Sequence, residues 1–135
     1  MIVIGVGNSW RGDDAAGLEL ARRVGGVRHE GDCTRLLDEW EAGDDVLVVD
    51  AASSGAPAGT IHRFDVSDEP LPAAVLASST HAFGVPAAVE LARALERLPR
   101  RLRVYGIEGE RWEAGEGLSP RVAGAVDALA GELAS

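Results

Sequence analysis

The sequence predicts an α/β protein, a three-layer sandwich in which about five strands form a mostly parallel twisted sheet with helices on both faces. Three observations lead there. Residues 45–50, DVLVVD, set four consecutive apolar residues between acids, as in a strand buried on both faces of a parallel sheet. Residues 2–17, IVIGVGNSWRGDDAAG, read as a strand, a glycine turn and a helix N-terminus. Short β-branched runs alternate with amphipathic helical stretches along the chain, which calls for crossovers that cover a parallel sheet.

The elements follow in order. Ile2, Val3 and Ile4 form the opening strand, broken by Gly5 and Gly7. Residues 14–24 have helical period, with Leu18, Ala21 and Val24 on one face and Leu20 widening it. Asp13 is placed to cap that helix, and Gly25 and Gly26 stop it. Residues 27–30 suit a short edge strand. Thr34 is placed to cap a second helix ending near Glu41, with Leu36, Leu37 and Trp40 turned inward. The buried strand at 45–50 is followed by the flexible AASSGAPAG, and TIHRF at 60–64 reads as an edge strand. Residues 67–80 are rich in proline and serine and form a loop, with one short helix at 73–76. A helix at 84–97 carries Val85, Ala88, Val89, Ala92 and Leu95 at helical spacing, with Pro86 in its first turn. Residues 102–107 form the last strand. GIEGERWEAGEG then leads to Ser119 and Pro120, an N-cap and first-turn pair for a final helix striped by Val122, Val126, Leu129 and Leu133. No repeat or linker interrupts this pattern, so residues 1–135 are expected to form a single domain.

Composition narrows the function. The net charge is −9 and all 13 basic residues are arginine, scattered without a basic stripe. Nucleic acid is an unsuitable partner, because phosphate contacts need clustered positive charge. The single cysteine, Cys33, excludes an intramolecular disulfide and a cysteine-based metal site. There is no signal-peptide pattern and no apolar run approaching the roughly 20 residues of a membrane span. A cytoplasmic, membrane-free protein is expected.

Asp14 and Asp50 each follow a strand, and the two strands are expected to run parallel. Both carboxylates then stand at the carboxyl edge of the sheet, where open α/β sheets bind ligands. His81 precedes a helix that follows a crossover, which suits the same edge. Two carboxylates and an imidazole make a mixed oxygen and nitrogen set that fits a borderline divalent ion such as nickel or zinc. The same residues have plainer readings: Asp13 and Asp14 as helix-start acids, Asp50 as a turn former, His81, His29 and His62 as surface or strand residues. Cys33 reads as a semi-buried apolar residue. No G-x-S-x-G elbow accompanies the serines, and GVGN falls short of a dinucleotide fingerprint. Acids at the helix start would also repel a phosphate.

The combined motifs resemble the hydrogenase maturation proteases, which process the large subunit of nickel–iron hydrogenases. The resemblance rests on Gly5, Gly7, Asn8, Asp13, Asp14 and Gly17, on DVLVVDAASSGAPAGTIHRF around Asp50, on SSTHAFG around His81, and on LRVYGIEGERWEAGEGLSPRV. It spans nearly the whole chain in order. It implies that Asp14, Asp50 and His81 are the catalytic and metal-contacting residues, with Asp13 supporting the loop. It further implies that the substrate is a large-subunit precursor already carrying nickel, from which a C-terminal extension is removed. The nickel is then supplied by the substrate rather than held permanently. A monomer is expected. Three departures stand out: Asp14 is the shorter of the acids the family uses, Ala15 replaces a common glycine, and Trp10-Arg11 is bulkier and more charged than the usual aliphatic residues. Other classes compatible with the residues are a non-catalytic module binding a hydrogenase subunit, a generic metal-dependent α/β hydrolase, and a flavodoxin-like binder.

Overall fold

A computed structural model of the chain describes residues 1–72, 83–115 and 117–134. Its centre is a five-stranded sheet in the order β2-β1-β3-β5-β4. The strands are β1 (Ile2–Gly7), β2 (Val27–Glu30), β3 (Asp45–Ala52), β4 (Ile61–Asp65) and β5 (Arg101–Glu108). β1 pairs in parallel with β2 and β3, and β3 in parallel with β5. β4 closes one edge antiparallel to β5. The helices are α1 (Ala16–Val24), α2 (Val85–Ala94) and α3 (Pro120–Ala134). This is the mostly parallel α/β sandwich that the alternating pattern predicts.

Side chains alternate across each strand, so the central strands feed two cores. Val46, Val48, Ile4, Val6, Leu102 and Val104 pack with Val85, Ala88, Val89 and Ala92 of α2 and with Leu36, Leu37 and Trp40. On the other face Val3, Leu47, Val49, Tyr105 and Ile107 meet Ala16 and Leu20 of α1 and Val122, Val126 and Leu129 of α3. Each fully buried Leu, Ile or Val side chain contributes about 1.5–3 kcal/mol to this packing. The Trp40 indole N–H also donates to the Arg97 carbonyl at 2.8 Å, so the ring is buried without an orphaned donor.

The glycines of the opening stretch do more than turn the chain. Gly5 and Gly7 lie within β1, which runs three residues beyond Ile4 rather than breaking there. A Cβ on Gly5 would overlap the Gly17 carbonyl, one on Gly7 the Asp14 carbonyl, and one on Gly17 the carbonyls of Val49 and Val6. The start of α1 therefore lies on the backbone ends of β1 and β3 with no side-chain layer between.

Three expectations are corrected. Asp13 does not cap α1: the helix begins after a 3₁₀ turn at Gly12–Ala15, and Ala15 occupies the cap position. The helix expected after Thr34 is only a 3₁₀ turn, Leu36–Glu39, although Leu36, Leu37 and Trp40 are buried as expected. α2 ends at Ala94, with Glu96 in the left-handed region, so Leu95 falls outside the helix and is exposed. Pro99 lies a few residues on, where a helix cannot readily continue. The short helix expected at 73–76, and His81, lie outside the described residues.

Candidate functional site

The parallel pairing of β1 with β3 brings their carboxyl ends side by side. Asp14 sits in the 3₁₀ turn just after β1, and Asp50 sits near the end of β3 opposite Gly106 of β5. Both are buried, Asp14 fully and Asp50 at 2% exposure. The backbone fixes Asp14: its N–H donates to the Arg11 carbonyl at 3.0 Å, and its carbonyl accepts from the Asn8 N–H at 3.2 Å. Asp50 lies on the strand face of Val46 and Val48, toward α2. Burial raises the Asp50 carboxyl well above its ordinary pKa, against a lowering hydrogen bond from the Ala51 N–H, and the charge of Asp14 raises it further. The charge of Asp14 is thus felt at Asp50.

Cys33 lies in the same neighbourhood, fully buried, its thiol pushed up to about 12 by burial and then by the charges of Asp50 and Asp32. It is a packed apolar group rather than a nucleophile, which needs a lowered pKa. Among the described residues, no group of three or more His, Cys, Asp or Glu side chains is arranged to hold a metal ion. His81, the third member of the sequence-derived set, lies outside them.

Asp13 has a different task from its neighbour. It is fully buried and ties the loop after β1 to the loop before α3. Its Oδ2 accepts from the N–H groups of Glu110 and Arg111 and from the Ser119 hydroxyl, each at 2.9 Å, and its Oδ1 accepts from the Ser119 N–H at 2.7 Å. Backbone bonds join the same loops: Gly12 N–H to the Gly115 carbonyl at 3.0 Å, Asp13 N–H to Arg111 at 2.8 Å, and Gly115 N–H to Trp10 at 2.8 Å. The Arg11 Nε–H adds a bond to the Trp112 carbonyl at 3.1 Å.

A second buried carboxylate pins the loop beyond Asp50, and the sequence reading did not find it. Glu108, at the end of β5, accepts from the Ser54 hydroxyl at 2.6 Å and the Ser54 N–H at 2.8 Å, and lies 3.0 Å from His62 Nε2. Burial pushes its carboxyl up, but the bonds from Ser54 and His62 outweigh this and leave it below the ordinary value. Ser54 and Glu108 contact one another directly and share one ring nitrogen of His62, so the trio is a loop clasp and not a serine, histidine and acid relay. The signal available in sequence was weak: an acid ending a buried strand, with a serine pair after the partner strand. Among the described residues no helix is long and apolar enough to cross a membrane.

The fold and this edge define a class: an α/β protein with paired buried acids at the carboxyl end of a parallel sheet. The family model of the hydrogenase maturation proteases matches residues 31–135. The chain belongs to the hydrogenase maturation protease family. The [NiFe] hydrogenase maturation protease HybD from Thermococcus kodakarensis is similar at 27% identity and a TM-score of 0.77, over 98% of this chain and 95% of that one. The endopeptidase HycI from Escherichia coli gives 24% identity and a TM-score of 0.73, over 98% and 87%. The hydrogenase maturating endopeptidase HybD from Escherichia coli gives 21% and 0.76, over 98% and 88%. These last two likenesses speak for the fold. No curated protein matches the sequence.

Proposed function

We propose that this protein is an endopeptidase that removes the C-terminal extension of a nickel–iron hydrogenase large-subunit precursor, and that it acts on the nickel-loaded form. The observation that carries the reading is the pair of buried acids Asp14 and Asp50 at the carboxyl ends of two neighbouring parallel strands, in a member of a protease family. Two carboxylates held together out of water repel when both are ionised. A divalent cation brought by the substrate relieves that repulsion, so the donor set fits nickel as part of the substrate. Asp14, Asp50 and His81 would contact it, and a metal in that position polarises a peptide carbonyl.

The chain's own residues supply the rest. One of the two carboxylates would act as general base toward the attacking water and pass its proton on. Asp13 and the β1 glycines hold Asp14 in place. The protein would act in the cytoplasm as a monomer, without nucleic acid or membrane.

The test is the intact mass of the precursor after incubation with this protein, with and without nickel loading. Loss of a defined C-terminal peptide from the loaded form alone supports protease activity and nickel recognition together. Equal cleavage of both forms overturns the nickel requirement. Unchanged mass in both overturns the protease reading in favour of a binding role. Asp50→Asn and His81→Ala are each expected to lower cleavage by at least a hundredfold, about 2.7 kcal/mol of barrier.

A further inference from the structure

The loop between β1 and Asp14 carries an aromatic ring that the fold does not bury. Trp10 is 63% exposed, whereas Trp40 is buried at 4%. Its backbone, by contrast, is fixed at every turn. The Trp10 N–H donates to Asn8 Oδ1 at 2.9 Å, and its carbonyl accepts from the Gly115 N–H at 2.8 Å. The preceding Ser9 gives its N–H to the Glu30 carboxylate at 2.9 Å and its hydroxyl to the same oxygen. The following Arg11 forms a parallel bridge with Gly115 and is tied through Nε to Trp112. An exposed indole on an immobilised backbone has already lost most of the chain entropy that docking would otherwise cost.

Position adds the second half of the argument. Trp10 lies four residues before Asp14, in the loop that leaves the carboxyl end of β1. A folded protein presenting a peptide bond to Asp14 and Asp50 approaches the same edge of the sheet from which this loop leaves. Tryptophan is the residue type most enriched among interface hot spots, since one ring buries about 150–250 Å² with little entropy loss. A lone exposed apolar residue is ordinary on a protein surface. One whose backbone is locked on both flanks, in the loop that leads from β1 to Asp14, is not explained by the fold.

We infer that Trp10 is the docking anchor for the substrate protein, inserting into an apolar pocket of the folded precursor beside the segment to be cut. The assignment rests on the proposed protease function and adds the residue that selects the partner. The ring acts in binding, not in the chemical step, so its removal raises KM and leaves kcat unchanged.

The test uses the full chain with the large-subunit precursor of the same organism. Trp10→Ala is expected to raise KM for cleavage about tenfold or more, with kcat and melting temperature held. Trp10→Phe should fall between. Separately, 5-fluorotryptophan is incorporated into the Asp50→Asn variant, its three ring signals are assigned by substitution, and precursor is added. Movement of the Trp10 fluorine signal, with that of Trp40 fixed, supports the anchor. Cleavage by the wild type with an unchanged KM in Trp10→Ala and a stationary Trp10 signal overturns the anchor and leaves the protease reading standing. A shifted Trp10 signal without cleavage by the wild type supports docking and overturns the protease reading. Neither cleavage nor a shift overturns both.

Discussion

Replacing Asp13 tests whether one buried carboxylate holds the site together. Four donors converge on it, three of them on Oδ2 and one on Oδ1. A hydrogen bond to a charged group contributes about 1.5–3 kcal/mol, and an unpaired buried donor costs about 1–3 kcal/mol. In Asp13→Asn the amide oxygen can take the place of Oδ2 and keep its three partners. The NH₂ then faces the Ser119 N–H, donor against donor. One charged bond is lost and the other three weaken, for a net cost of about 2–3 kcal/mol. Asp13→Ala strands the three backbone donors and costs about 4–5 kcal/mol, near the upper end for a single substitution. Ser119→Ala removes only the hydroxyl bond and costs about 1.5 kcal/mol. For a chain of this size about 3–4 °C is lost per kcal/mol, so thermal unfolding by circular dichroism resolves the series. The order of damage should be Ser119→Ala, then Asp13→Asn, then Asp13→Ala. Melting temperatures of Asp13→Asn and wild type within a degree of each other would show the reasoning to be wrong.

Three further outcomes are expected. Gly5→Ala and Gly17→Ala drive a methyl group into backbone carbonyls and should cost more than about 3 kcal/mol in urea unfolding, as severe overpacking does. Gly124→Ala, on the open face of α3, should instead stabilise by about 0.5–1 kcal/mol. A tolerant Gly17 would contradict the direct seating of α1 on the sheet. Asp50→Asn should be more stable than wild type at pH 7. Burial raises the folded pKa of Asp50, so the wild type loses stability as pH rises from the unfolded value of about 3.9 toward the folded one. The advantage of Asp50→Asn should therefore grow over that window, flatten above it, and vanish at low pH; a constant difference at all pH values would refute this origin.

Much of this was legible in sequence, for reasons that differ from place to place. DVLVVD announces a strand covered on both faces because only such a strand tolerates an unbroken apolar run. Asp14 and Asp50 could be placed on one edge because parallel strands put their carboxyl ends together. Other features depend on distant contacts. Asp13 looks like a helix cap from its neighbours, yet its partners lie about a hundred residues away, near Ser119. Glu108 reads as the polar end of a strand until Ser54 and His62 fold against it. Leu95 keeps the helical spacing but falls after the helix has ended. Local patterns report the period of an element well and its last turn poorly.

The Asp13 clasp joins the first loop of the protein to the approach of α3, with Asp13 and Ser119 separated by 106 positions. Contacts of such long range form late, since the chain between must first be ordered. β1 can find β2 and β3 early, but the turn that carries Asp14 is fastened only when α3 arrives. A partly folded molecule therefore has a sheet before it has a site. The pairing of β1 with β3 brings the two acids to one edge, but the turn that carries Asp14 stays unfastened until this long-range contact forms, so competence waits on a late docking event rather than on the first collapse.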